Sequence, residues 1–158
     1  PVDTTVQNAK KPEWTVQNFD YHASYIFSTP AHQNSWGYVN FNLTNNLSPP
    51  TTAVCSAASS QLSDFFYGTV SYACTLPADA PEGSAVGFLF SRPSGKLDIH
   101  ETVVVGSKTF TASGSANLTL SCTDSGTVVT PDWQIGEIYS VRDVECAPVT
   151  VKVKPSSV

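Results

Sequence analysis

Residues 113–122 read SGSANLTLSC, and this stretch constrains the fold more than any other part of the chain. In its second half, Leu or Cys alternates with polar side chains. Alternation with a period of two is typical of a β-strand that buries one face. The tripeptide that starts at Asn117 is also an N-glycosylation acceptor, and Asn117 falls on the polar face. A strand with an outward glycan acceptor and an inward Cys122 predicts an extracellular β-protein stabilised by disulfides.

Composition favours a single extracellular domain. The chain has 158 residues, which is enough for one domain with a substantial core. Only 13% of the residues are charged, and the formal net charge is −5. The eight basic residues are scattered, so nucleic acid is not an expected partner. The chain begins at Pro1 without a signal peptide, and we interpret it as a mature form whose leader has been removed.

The cysteine count is even, and the four positions are Cys55, Cys74, Cys122 and Cys146. None of them has the C-x-x-C spacing of a zinc site or redox centre, so two disulfides are the better interpretation. Four cysteines can pair in three ways. Each bridge should stabilise the fold by roughly 3 kcal/mol through loop-closure entropy.

Strand and turn signals recur along the chain. Residues 14–19 predict a first strand, and residues 21–34 predict an irregular second strand followed by a loop. The clearest strand covers residues 36–44, with a second glycan acceptor, Asn42, on its polar face. Hairpin turns are expected at 92–95 and at the Gly-Ser pair that follows residue 105. This spacing favours an all-β fold, either a compact antiparallel β-barrel or a sandwich.

The domain boundaries follow from the same signals. The one helix that the sequence allows covers residues 56–63, where serines offer N-caps and alanines tolerate helical turns. Residues 1–12 lack periodicity and are expected to form a flexible N-terminal arm. The rest divides into one β domain over residues 13–154 and a tail over residues 155–158.

Several segments resemble the fungal Alternaria-allergen-like (AA1-like) secreted proteins, and among them the elicitors of the hypersensitive response. Residues 14–19 (WTVQNF) look like the W-x-[IV]-x-x-F first strand of that family, and residues 41–43 (FNL) look like its F-N-aliphatic strand. Residues 55–74 resemble its C-S-A…L-x-D…Y-x-C segment. The strand that ends at Cys122 and the late Cys146 complete the match.

The resemblance spans roughly residues 13–153 and implies that neighbouring cysteines pair, Cys55 with Cys74 and Cys122 with Cys146. It also implies a compact β-barrel that a fungus secretes to its cell wall or to the plant apoplast. Members of the family are described as allergens or as elicitors of plant defence and cell death. No catalytic motif or cofactor comes with it. Because this chain has no additional cysteine, we expect a monomer rather than the covalent dimer of the founding allergen.

The leading hypothesis is therefore a secreted elicitor that acts by surface recognition and is not an enzyme. The expected partner is a plant apoplastic or plasma-membrane protein, and the resemblance makes a thaumatin-like defence protein one candidate. Asp98 and His100 could share a strand face as an orienting acid and a base, but no nucleophile motif accompanies them, which favours a solvated polar face. A pair of carboxylates for glycoside hydrolysis remains open among the loop acids Asp79, Glu82, Asp132 and Glu137.

The alternative hypothesis is an extracellular carbohydrate-binding module that acts on cell-wall polysaccharide. Trp36 and Trp133 are its candidate ligand-facing aromatics, because both fall near loops or on outward positions. Phe65 and Phe66 are expected to close the core instead. The three histidines are far apart in the sequence, so we expect no metal site.

Overall fold

The structure, a computed structural model, describes residues 13–46 and 51–157. Within these ranges the chain forms thirteen strands and no helix. The strands are β1 (Trp14–Thr29), β2 (His32–Gln33), β3 (Trp36–Asn45), β4 (Thr52–Ser59), β5 (Tyr72–Ala73), β6 (Ala85–Phe90), β7 (Lys96–Val105), β8 (Lys108–Asn117), β9 (Cys122–Asp124), β10 (Val128–Val129), β11 (Ser140–Cys146), β12 (Val149–Val153) and β13 (Pro155–Ser157). The expected arm at residues 1–12 lies outside the described residues. Most of the expected tail forms β13.

The strands build two antiparallel sheets around one core. The first sheet has the order β10-β11-β1-β3-β4, while β12 and β2 also pair with β1 and β9 pairs with β11. The second sheet has the order β13-β8-β7-β6-β5. The all-β prediction is confirmed. Because neither sheet closes on itself over the described ranges, the architecture is a sandwich and not a closed barrel.

β1 is the central strand of the first sheet and has 16 residues. It pairs with β3 on one side and with β11 and β12 on the other. The register with β3 shifts between Gln17 and Asp20, where Asn18 has a φ of 54°. At this bulge the buried side chains change from even-numbered to odd-numbered positions. β1 continues through the bulge to Thr29, so the prediction of a separate strand over residues 21–34 was wrong. The buried residues before and after the bulge are Trp14 and Val16, then Phe19, Tyr21 and Ala23.

Residues 56–63 do not form the expected helix. Those up to Ser59 belong to β4, which pairs with β3 along its whole length, and the chain then turns at residues 62–64. Ala53, Cys55 and Ser59 are buried on one face of β4. The intrinsic preference of alanine and serine for a helix is weak, and the pairing of β4 with β3 outweighs it.

Residues 113–122 cross from one sheet to the other. β8 ends at Asn117 in the second sheet, and β9 begins at Cys122 in the first. Between them, Leu118 N donates to the Gly95 carbonyl at 2.8 Å. Leu118 is buried and Asn117 is exposed, as the alternation predicted. The prediction of a single strand was wrong. The side chains of an extended segment alternate between its two faces even where the backbone stops pairing with one sheet and begins to pair with another, so the alternation did not reveal the change.

Aromatic side chains fill the core between the sheets. Phe19 and Phe41 from the first sheet meet Phe90 and Phe88 from the second, with ring centroids 5.0 and 4.9 Å apart. The turn after β4 adds two buried rings that close the core as expected, Phe65 and Phe66.

A buried carboxylate also joins the two sheets. Glu101 lies on the inner face of β7, where it accepts a hydrogen bond from Trp14 Nε1 at 2.9 Å and one from Asn45 Nδ2 at 3.1 Å. Both donors belong to the first sheet. The polar group is therefore satisfied inside the core and fixes the sheets relative to each other.

The two disulfides have the neighbour pairing. Cys55–Cys74 connects β4 of the first sheet to the end of β5 in the second. Cys122–Cys146 connects two paired strands of the first sheet, β9 and β11. One bridge therefore links the sheets, and the other fixes the point where the chain enters the first sheet.

Both expected hairpins of the second sheet are present. The turn at 92–95 joins β6 to β7. Val105 pairs with Lys108, and Gly106 has a φ of 61°, as a two-residue type II′ turn requires. Over the described part of the chain, no helix is long and apolar enough to span a membrane.

Candidate functional site

Trp36 begins β3 on the outer face of the first sheet. It pairs with Ser24, and its side chain is 42% exposed. Two residues along the same face, Tyr38 stacks on His22 with ring centroids 5.0 Å apart and 21° between the ring planes. His22 Nδ1 lies 3.0 Å from an Asp20 carboxylate oxygen. The outer face therefore carries a short aromatic strip with one partly exposed indole ring.

Trp133 has a different role. It is half-buried in the β10–β11 loop, residues 130–139, where its indole N–H donates to the Glu137 carbonyl at 2.8 Å. Its ring meets Tyr139 edge-on, with centroids 5.5 Å apart. The polar atom of Trp133 is thus used inside the loop. Of the two expected ligand-facing aromatics, Trp36 has a partly exposed ring and Trp133 stabilises a loop.

Further hydrogen bonds fix the β10–β11 loop. Thr130 N donates to the Tyr139 carbonyl at 2.9 Å and closes its base. At its tip, Gln134 N donates to Glu137 Oε1 at 2.8 Å, and Glu137 N donates to the Gln134 carbonyl at 3.0 Å. Gly136 has a φ of 102°, which suits the third residue of a type II turn. The loop therefore has a defined shape before it meets any partner.

Exposed apolar side chains concentrate where β1 ends. Ile135, at the tip of the β10–β11 loop, is 91% exposed. Tyr139 N donates to the Phe27 carbonyl at 2.7 Å, which ties the loop to the end of β1. The turn after β4 reaches the same end, because the Tyr25 hydroxyl donates to the Ser63 carbonyl at 2.8 Å. Within the described residues, six of the ten large exposed apolar side chains lie in these segments or in the adjoining strands β3 and β10. We call them the apolar end: Trp36, Leu62, Val128, Val129, Ile135 and Ile138.

Acidic groups accompany the apolar end. Asp132 and Glu137 are exposed in the loop, and residues 123–139 contain no lysine or arginine. Asp124 accepts hydrogen bonds from the Arg142 guanidinium at 2.6 to 3.1 Å. These bonds favour the carboxylate and lower the pKa of Asp124 from 3.8 to about 2. Arg142 is therefore already paired, and the loop itself is negatively charged.

Two arginines cover tyrosines at the flank of the core. The Arg142 guanidinium lies 4.7 Å from the Tyr25 ring centroid, and that of Arg92 lies 5.0 Å from the Tyr21 ring centroid. Burial disfavours the phenolate and raises the pKa of Tyr21 to about 12, although Arg92 acts in the opposite direction. These cation–π contacts stabilise the fold and hold both guanidinium groups against the protein.

The most enzyme-like residues of the sequence do not form an acid–base triad. Asp98 and His100 do share the outer face of β7. Ser71 Oγ lies 2.8 Å from His100 Nε2, a contact that no sequence motif indicated. The Asp98 carboxylate instead accepts a hydrogen bond from the Ser115 hydroxyl and lies 3.7 Å from Lys96 Nζ. Because it is engaged there, it does not orient the imidazole.

The loop acids belong to two separate loops. Asp79 and Glu82 lie in residues 77–84, between β5 and β6 of the second sheet, whereas Asp132 and Glu137 lie in the β10–β11 loop of the first. Among the residues that the structure describes, no group of three or more His, Cys, Asp or Glu side chains could hold a metal ion.

A shallow depression lies beside the segment that leads into β5. Its lining includes Phe66, Tyr67, Val70 and Tyr72, and it encloses almost no volume. Pockets for small ligands usually have about 300 to 1,000 Å³. A broad surface is therefore the stronger candidate for function than this depression.

Both expected glycan acceptors are exposed, and Asn42 lies far from the apolar end. It pairs with Gln17, before the bulge of β1, whereas Phe27 meets the β10–β11 loop after it. At 3.3 Å per strand residue, roughly 30 Å separates these two positions. A glycan on Asn42 would leave the loop accessible. Asn117 ends β8 in the second sheet.

The chain matches a known protein family. A family model described as Alternaria alternata allergen 1 matches residues 16–146. The matched segment contains both disulfides and the β10–β11 loop. No curated protein and no solved structure matches the chain significantly.

Proposed function

Because the chain belongs to the Alternaria alternata allergen 1 family, we propose that it is a secreted fungal elicitor that triggers plant defence and cell death. It acts by surface recognition and without catalysis. The observation that carries this proposal is the apolar end. Exposed apolar residues that gather at one end of a protein often mark the place where a partner binds. The hydrogen-bonded loop at its centre lowers the entropic cost of binding.

The proposed place of action is extracellular, in the plant apoplast or at the fungal cell wall. Two disulfides support this, since such bonds persist in oxidising compartments. The exposed acceptors Asn42 and Asn117 also support it. The proposed partner is a plant apoplastic or plasma-membrane protein, and a thaumatin-like defence protein is one candidate.

Leaf infiltration tests the proposal. The purified, folded protein should cause a defence response and local cell death. The matched control is the same preparation after reduction and alkylation of its cysteines, which removes the folded surface but keeps the composition. A clean, folded preparation that gives no response would contradict the elicitor function.

Trp36 favours a second candidate, the binding of cell-wall polysaccharide. Its exposed indole beside the Tyr38–His22 stack is suited to stacking on a sugar ring. Trp36→Ala should weaken co-sedimentation with insoluble wall polysaccharide. Phe110→Ala is the control, because Phe110 is 44% exposed on a strand of the other sheet. Equal sedimentation of both variants and the wild type would remove this candidate.

A further inference from the structure

We infer that the β10–β11 loop docks, with Ile135 as its anchor, into an apolar pocket bordered by Lys and Arg side chains on a plant cell-surface protein. This inference deepens the proposed function and rests on it, because it names the contact element and the chemistry of the partner.

Ile135 has the geometry of an anchor residue. It occupies the second position of the Gln134–Glu137 turn, and its side chain is 91% exposed. The surrounding bonds, including the one from Trp133 Nε1 to the Glu137 carbonyl, hold the turn independently of the Ile135 side chain. Interface energy concentrates in a few apolar side chains that enter pockets, and a rigid loop presents such a side chain at a low entropic cost.

The hairpin that carries this anchor has further exposed apolar side chains. Ile138 is exposed three residues later, at the point where the loop returns to β11. Val128 is 61% exposed and pairs with Val141 at the base of the hairpin. A ring of apolar contacts around an anchor excludes water from it and strengthens the contact. The hairpin therefore offers a partner further apolar side chains besides Ile135.

The charges of the hairpin select the partner. Asp132 is exposed and makes no hydrogen bond or ion pair within the described part of the chain, so it is available to an external cation. Glu137 adds a second acid, and no basic residue lies between positions 123 and 139. Complementary potentials favour a pocket with a cationic border. The same charges disfavour an anionic lipid surface and an identical hairpin on a second copy of this chain.

The decisive measurement is equilibrium binding of fluorescently labelled protein to intact cultured leaf cells, with and without prior protease treatment of the cells. Wild-type binding should be saturable and lost after protease treatment. Ile135→Ser should bind about tenfold more weakly or worse, as truncation of an anchor residue does. The control is Val105→Ser, because Val105 is 61% exposed at the β7–β8 hairpin, and this variant should bind like the wild type.

A charge-only variant tests the cationic border. Asp132→Asn removes the charge, and asparagine tolerates the φ of 53° at this position. Its binding should fall about two- to threefold at low salt, and the difference should disappear at high salt, because exposed charges are screened. Asp79→Asn, in the exposed loop before β6, is the matched control.

Infiltration of the same variants separates the two proposals. If the wild type elicits a response and Ile135→Ser elicits it equally, the docking inference is wrong and the elicitor function stands. If the wild type binds through Ile135 and elicits nothing, the elicitor function is wrong and the docking site stands. Wild-type binding that is absent or survives protease, or self-association that Ile135→Ser abolishes, would overturn the inference.

Discussion

At the scale of single residues, Glu101 is a buried polar side chain that joins the two sheets. Glu101→Ala would remove the acceptor of the Trp14 indole N–H and one hydrogen bond of Asn45. An unsatisfied buried donor costs about 1–3 kcal/mol, so we expect a loss of about 2–4 kcal/mol in the free energy of unfolding. Urea denaturation measures it. Glu145→Ala, at an exposed position of β11, should change stability by less than about 0.5 kcal/mol. Equal effects would contradict the core role.

Tyr21 makes the fold sensitive to alkali. Its pKa is raised from 10.0 to about 12, mainly by burial, so the folded state holds the phenol proton more tightly than the unfolded state. The associated stability is fully present below pH 10 and is lost as the pH rises towards about 12. A titration followed by phenolate absorbance should lose its latest group in Tyr21→Phe, whereas Tyr25, whose pKa is also raised by burial, should keep a delayed titration. A variant with an unchanged titration would contradict this assignment.

Asp124 has the opposite pH dependence. The Arg142 hydrogen bonds lower its pKa from 3.8 to about 2, so the pair stabilises the fold above pH 3.8 and this contribution is lost as the pH falls towards about 2. Wild type and Asp124→Asn should therefore differ in urea midpoint at neutral pH and converge in acid. A difference that stays constant down to pH 2 would assign the effect to something other than this carboxylate.

The role of a residue could be predicted from the sequence only where the type of its side chain determines that role. Phe65 and Phe66 are buried as expected, because large apolar rings are usually removed from water. Trp36 and Trp133 looked equivalent, and only the Glu137 carbonyl beside the second indole distinguishes them. The Ser71–His100 contact joins residues 29 positions apart, so no local pattern could indicate it.

At the scale of elements, prediction succeeded where the signal was local. β3 and the two hairpins of the second sheet follow from alternation and turn residues within a few positions. Prediction failed at Asn18, where a bulge moves the buried side chains of β1 from even to odd positions. It also failed in residues 113–122, where an extended segment passes from one sheet to the other. Neither event alters the pattern of apolar residues enough to be read without the neighbouring strands.

The two disulfides join elements and should contribute similar amounts of stability. Their sequence separations are 19 and 24 residues, and loop-closure entropy then gives about 3 kcal/mol for each. The double variants Cys55→Ala/Cys74→Ala and Cys122→Ala/Cys146→Ala should each lose about that much in urea denaturation. A loss below about 1 kcal/mol in either variant would mean that the unfolded chain is already restricted there.

At the scale of the whole molecule, the sequence indicates a disulfide-linked β sandwich but not the apolar end. Single exposed valines and isoleucines are ordinary on protein surfaces. Val128, Ile135 and Leu62 gain significance only because the end of β1 brings their separate segments together. That convergence depends on the pairing of strands distant in sequence, which composition and periodicity do not encode.

The central position of β1 also determines when the molecule acquires its shape. Trp14 pairs with Val153, and His22 pairs with Glu145. β1 can therefore complete its pairing only after strands more than 120 residues later in the sequence are present. Such non-local topologies fold slowly, in milliseconds to seconds, and they fold only once the chain is complete. Short peptides that cover the β10–β11 loop lack the Phe27 carbonyl that anchors Tyr139. Overlapping-peptide arrays should therefore miss the surface that the intact protein presents, and one proteolytic cut within β1 should erase it.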